Sequence, residues 1–200
     1  MTDKEILSQI KQRFHNVYEG TYPFPIPFEG KENIKAILVG TDPGNLIKGK
    51  TKHFEKVFGL ENNKSKYFSS IYSNIKLLQN LSIENLYIQN ICKNYFNCNA
   101  YLNKYWLKIA NEFWLPVIKN EFNSRFKPEI PVLLSSELIF NLLIKKECKN
   151  SAKYLYENSK FISETDNYLG RVLIPFYRHY KYSLKNWNKY KDCIDNFFDK

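Results

Sequence analysis

The stretch IKAILVGTDPGN (34–45) decides the fold, because it joins a short apolar run to a turn at a single glycine. Ala36, Ile37, Leu38 and Val39 leave no polar face between them. That is the pattern of a parallel strand covered on both sides, not of a half-exposed one. The residues after it, from Gly40 to Asn45, are of the types that turns favour. Working outward, the same form recurs three times, in NLYIQNI (85–91), PVLLSS (131–136) and RVLIPFY (171–177). Between these runs the apolar period becomes helical, in IYSNIKLLQNL (71–81), YLNKYWLKIANEFWLPVIKNEF (101–122) and ELIFNLLIKK (137–146). Pro116 should interrupt or kink the second of these. SLKNWNKYKDCIDNFF (183–198) reads as a closing helix, and residues 145–170 as a long loop. Strands alternating with helices imply right-handed crossovers and a parallel sheet buried on both faces. The expected fold is α/β, a three-layer α/β/α arrangement around a central four-stranded parallel sheet.

Ahead of this pattern lies a different composition. Residues 3–18 carry Ile6, Ile10, Phe14, Val17 and Tyr18 on one helical stripe, with Thr2 or Asp3 as cap and Gly20 as stop. TYPFPIPFEGK (21–31) follows, and its prolines at 23, 25 and 27 enforce an extended strap. The expected division is an accessory helix and strap over 1–33 and one domain over 34–200.

Composition narrows the class. Two hundred residues make one medium domain, and 44% hydrophobic with 16% aromatic residues excludes a disordered tail. Thirty basic against twenty acidic residues give a formal charge of +10, which favours a polyanionic partner. Only Arg13, Arg125, Arg171 and Arg178 are arginines, and the abundance of Lys, Asn, Ile and Tyr matches translation of an AT-rich genome. Part of the charge is therefore dispersed lysine solvating the surface. MTDKEILSQIKQRF (1–14) lacks the apolar core of a signal peptide, and no apolar run approaches a membrane span. Cys92, Cys98, Cys148 and Cys193 are spread without a CxxC pair or zinc-finger spacing. The expectation is a cytoplasmic protein with free thiols, no membrane partner and no metal.

In open parallel sheets, ligands bind beyond the carboxyl ends of the strands. The residues just past each apolar run are therefore the candidates: Gly40, Thr41, Asp42, Pro43, Gly44 and Asn45, then Asn90, then Ser135 and Ser136, then Tyr177, Arg178, His179 and Tyr180. A carboxylate, a carboxamide and an imidazole are thus aimed at one crevice. Each also has a plainer reading. GTDPGN is an ordinary turn, Asn90 a strand-end cap, Ser135 a helix cap, and His179 a polar surface group.

These segments resemble the uracil-DNA glycosylase superfamily. VGTDPGN (39–45) looks like its first motif, NLYIQNICK (85–93) like the segment ending in its asparagine, and IPFYRHYKYSL (174–184) like its histidine loop. FSSIYSNI (68–75) is similar to the aromatic and helical segment between the first two, and the resemblance spans residues 34–184. It implies a monomeric, cofactor-free enzyme that flips a base out of DNA and hydrolyses its glycosidic bond. It implies that Asp42 stabilises the cationic sugar and activates water, and that His179 donates to the base oxygen gaining charge. Asn90 would read the base edge and Phe68 would stack on the base, beside Gly40, Thr41, Pro43 and Gly44. Asn45, Ser135, Ser136, Arg178, Lys181 and Ser183 would contact DNA. Lys48, Lys50, Lys52 and Lys93 would add charge around the same crevice. Gly44 stands where the uracil-specific branch carries a tyrosine that rejects thymine, so the resemblance does not imply which base is taken.

Two other functions compete. One is a nucleic-acid-binding module with this fold and no turnover; the other is a small-molecule hydrolase using Asp42 and His179. The absence of GxGxxG, of GxSxG and of HExxH argues against nucleotide cofactors, serine hydrolases of the commoner design and zinc proteases.

Overall fold

The computed structural model describes residues 2–19, 24–44, 46–47, 50–51, 54–61, 66–148 and 151–199. A five-stranded mixed sheet runs through it. Its parallel part comprises β2 (Ala36–Gly40), β5 (Leu86–Asn90), β6 (Val132–Leu134) and β7 (Leu173–Pro175), and β1 (Phe28–Glu29) pairs antiparallel with β5. The spatial order is β1-β5-β2-β6-β7, with β3 (Leu46–Ile47) and β4 (Lys50–Thr51) forming a separate ribbon.

The four apolar runs became strands because their alternate side chains are buried on opposite faces. Ile37, Val39, Tyr87, Val132, Leu134 and Leu173 join one core cluster; Ala36, Leu38, Leu86, Ile88, Leu133 and Ile174 join the other. The first face is covered by α1 (Asp3–Arg13), by α3 (Trp106–Ile109) continuing into α4 (Leu115–Arg125), and by α5 (Glu137–Leu143). The second is covered by α2 (Lys66–Ile75) and α7 (Asn188–Phe198). No helix among the described residues is long and apolar enough to cross a membrane.

The sheet differs from the four-stranded expectation in its fifth strand. The strap after the prolines stays extended, and Phe28 and Glu29 dock on the β5 edge opposite Ile88 and Tyr87. Ile6, Ile10 and Phe14 are buried in the same cluster as Val39 and Trp114, so the segment expected as an accessory shares the main core. The first helix also ends sooner than its stripe suggested. Thr2 and Glu5 close a capping box at its start, but Phe14 leaves helical geometry at φ −135° and ψ 36°. Tyr18 instead bridges to Phe96.

Two further departures follow from local chemistry. Pro116 does not break the helix. Residues Ala110–Trp114 form a π-helical turn, and α4 restarts with Pro116 in its first turn, where its missing N–H leaves no gap. The stretch 145–170 is not all loop, because Ser151 accepts a hydrogen bond from Tyr154 N and starts α6 (Ala152–Glu157).

Arg13, Arg125 and Arg171 are engaged within the molecule, one of them buried. Arg171 is buried, and its guanidinium donates to the carbonyls of Phe122, Phe126 and Ile130 around the end of α4. Arg125 pairs with Glu29 on the edge strand, and Arg13 with Glu112. Lys93 holds Glu121 at 3.0 Å, so its charge is not offered to the crevice as expected.

Candidate active site

The connection from β2 leads to β5 on one side, and that from β6 leads to β7 on the other. Adjacent strands whose connections diverge leave a crevice at their carboxyl ends. A cavity of about 90 Å³ lies there, lined from β2 by Gly40 to Gly44, from β5 by Asn90, from the β6 end by Ser135 and Ser136, and past β7 by Arg178.

Asp42 is its most constrained group. The side chain is 8% exposed, and each carboxylate oxygen accepts a hydrogen bond: Oδ2 from Gly44 N at 3.1 Å, Oδ1 from Trp106 Nε1 at 3.0 Å. Burial pushes its pKa up to about 6; the bonds from Gly44, Trp106 and Thr41, and the charge of Arg178, pull the other way. Burial wins, yet the value stays below neutrality. The result is a desolvated carboxylate that is mostly anionic at pH 7 and still able to take a proton.

Gly40 is glycine because the space is taken. A Cβ there would run into Asn90 Oδ1 and the Phe58 ring. Asn90 is buried at the end of its strand, with its backbone N–H held by Gln89 Oε1 at 2.9 Å. A Cβ on Gly44 would stand 3.2 Å from Asp42 Oδ2, so this position too is closely packed.

Phe58 is a wall of the cavity that the sequence reading passed over. It holds φ at 58°, the left-handed region that side chains avoid at about 1–2 kcal/mol, and Gly59 follows at 67°. Phe68, expected as the platform, does not line the cavity. It is buried behind Phe58, whose ring it meets edge-on at 6.0 Å, and it stacks on Tyr72 at 5.8 Å. Its place on α2 faces the core cluster beneath the sheet, so α2 amphipathicity accounts for it. Signals for Phe58 existed only in the dipeptide Phe58-Gly59, since Gly often marks a chain reversal. Trp106 and Cys98 were also missed. Cys98 lines the cavity, and burial together with the Asp42 charge pushes its thiol up, so it is a neutral wall and not a thiolate nucleophile.

The other candidates divide. Thr41 and Pro43 line the cavity. His179 does not; it lies with Lys181 in a neighbouring, larger cavity that shares Ser135, Ser136 and Arg178 with the first. The exposed His179 ring accepts a hydrogen bond from Lys181 N at Nδ1 (3.3 Å), so the neutral ring carries its proton on Nε2. Ser136 caps α5 through Ile139 N, and Ser183 lines neither cavity. Asn45, Lys48 and Lys52 lie outside the described residues, as does the side chain of Lys50. Among the described residues, no three His, Cys, Asp or Glu side chains are grouped to hold a metal.

No family model matches the chain, and no curated protein matches it either.

Proposed function

We propose that the chain is a DNA base-excision glycosylase that hydrolyses the glycosidic bond of uracil or a related damaged base. One observation carries the reading: a buried, doubly hydrogen-bonded Asp42 and the carboxamide of Asn90 open on one small cavity against an aromatic ring, Phe58. The cavity is far below the roughly 300–1,000 Å³ of pockets that engulf a drug-sized ligand or cofactor. A flat ring with hydrogen-bonding edges suits it better than a bulky substrate.

The chemistry follows from the residue types. Breaking the bond between sugar and base leaves positive charge on the sugar and negative charge on the base. Asp42, anionic above pH 6 and shielded from bulk water, stabilises the cationic sugar and accepts a proton from the attacking water. Trp106 and Gly44 fix both oxygens, so little reorganisation is needed as charge develops. Asn90 offers a donor and an acceptor side by side to the base edge. Phe58 supplies the face on which the base lies. His179, whose Nδ1 accepts from Lys181 N, presents Nε2 to donate toward the base oxygen that gains charge, from the groove adjoining the cavity.

The test is an oligonucleotide panel carrying uracil, hypoxanthine or mismatched thymine, incubated with the protein and then with alkali. Strand cutting at the altered base supports the reading. Tight binding with no abasic product across the whole panel overturns it in favour of a binding module, and binding indifferent to salt overturns both nucleic-acid readings.

A further inference from the structure

The second cavity is the larger, about 720 Å³, within the range of cavities that hold a small organic ligand. It adjoins the first, sharing Ser135, Ser136 and Arg178 with it. Tyr101, Tyr177, Tyr180 and Tyr182 all line it. Two of these stand largely in water, Tyr101 at 57% and Tyr180 at 73% exposure. Tyr180 is braced on one side by His179, with ring centroids 4.5 Å apart and planes 34° off parallel. Arg178 and Lys181 bring two cations to this wall against the single carboxylate of Glu137.

Tyr177 adds a different kind of signal. It is 2% exposed, and its hydroxyl is buried with no hydrogen-bond partner among the described residues. Buried hydroxyls are nearly always paired, because leaving one unpaired costs about 1–3 kcal/mol. In the wall of a cavity, a ligand atom can supply the missing partner.

We propose that this groove is a subsite for the nucleotide next to the excised base in a single strand. Its base lies against Tyr101 or Tyr180, the Tyr177 hydroxyl hydrogen-bonds a polar atom of the nucleotide, and Arg178 and Lys181 face its phosphates. The proposal rests on the base-excision reading, since only a strand entering the smaller cavity continues across the shared wall. In a duplex, neighbouring bases stay stacked and present only their edges. In a single strand their faces are free, and aromatic rings with nearby cations take them regardless of sequence. The protein therefore favours unpaired over paired DNA.

Fluorescence anisotropy tests this without any need for turnover, using an oligothymidylate strand and the same strand annealed to its complement. The wild type is expected to bind the single strand more tightly. Of Tyr101→Ala and Tyr180→Ala, the one whose ring carries the base should weaken single-strand binding about tenfold, and the double variant at least as much, with duplex binding changed less than twofold. Both side chains are exposed, so the variants keep the fold, and thermal unfolding verifies it. Tyr177→Phe should weaken single-strand binding by a few fold. Equal affinity for the two forms, or tyrosine variants with full single-strand affinity, overturns the proposal. Strand binding through these tyrosines with no base released from the panel keeps the groove and sinks the excision reading; excision with no role for the tyrosines does the reverse.

Discussion

The two adjoining cavities are built on opposite terms. The smaller is set by the sheet: strand ends deliver Gly40, Asp42, Asn90 and Ser135, and a buried indole holds the carboxylate. The larger is set by the segment after β7, where His179, Tyr180 and Lys181 stand exposed and the imidazole is held by one local hydrogen bond. Groups fixed by a core are oriented before any ligand arrives, whereas groups on an exposed turn gain their geometry from what they bind. Catalytic weight should therefore fall unequally on the two sides.

The sharpest way to break that contrast is substitution of the two proposed catalytic residues. Asp42→Asn should lower base excision by about 10³-fold, and His179→Ala by about 10²-fold, with DNA binding changed far less in both. Equal losses, or a larger one at His179, would reverse the assignment of weight; single-turnover kinetics reads this directly. The two phenylalanines sharpen the contrast from the side of packing. Phe68→Ala should destabilise the fold by about 3 kcal/mol in urea unfolding, as a core deletion does. Phe58→Gly removes a wall and relieves a strained φ, so its loss should appear in excision more than in stability.

A smaller effect tests the indole. Excision should rise with pH through about 6, as Asp42 loses its proton. Trp106→Phe keeps the ring and removes the donor, and should move that midpoint up by about one unit. A carboxyl-carbon NMR titration of Asp42 reports the same shift without turnover. Arg178, Cys92 and Cys98 face the same carboxylate and are unchanged in that variant.

The smallest effect is on stability. Because the folded-state pKa of Asp42 is raised from 3.8, the folded protein holds this proton more tightly than the unfolded chain. The stability so contributed is complete below about pH 3.8 and is lost as pH rises through about 6. Asp42→Asn escapes that loss but gives up one hydrogen bond. The variant should be more stable than the wild type by about 1–2 kcal/mol at pH 8, and not at pH 4. An inactive variant that is also more stable would mark Asp42 as a site held against the interest of the fold.

Most of the sheet was legible because apolar runs 34–40, 85–91, 131–136 and 171–177 carry their own signal: buried parallel strands need no partner to be recognised. Phe28 and Glu29 were not legible, since an edge strand of two residues has no period and is made by the neighbour it docks on. The strand-end rule likewise led to Asp42 and Asn90, which depend only on topology. It did not lead to Phe58, whose position depends on a backbone angle, or to Trp106, which looks like any other core aromatic of its helix until its nitrogen meets Asp42.

The π-helical turn at Ala110–Trp114 sets a phase between two indoles. Trp106 Nε1 reaches Asp42, and Trp114 Nε1 reaches Asn94 Oδ1 at 2.8 Å, so both nitrogens end in polar groups that follow strand ends. Eight residues along a regular α-helix would turn the two side chains about 80° apart, at about 100° per residue. The wider turn takes up one extra residue, so the step acts as about seven and leaves them about 20° apart. Removing one residue such as Asn111 would restore an even helix of seven steps and leave the two tryptophans in phase, whereas evening out the turn without a deletion would force one off its partner. The spacing of this helix is thus a calibration, and the orientation of Asp42 is read from it.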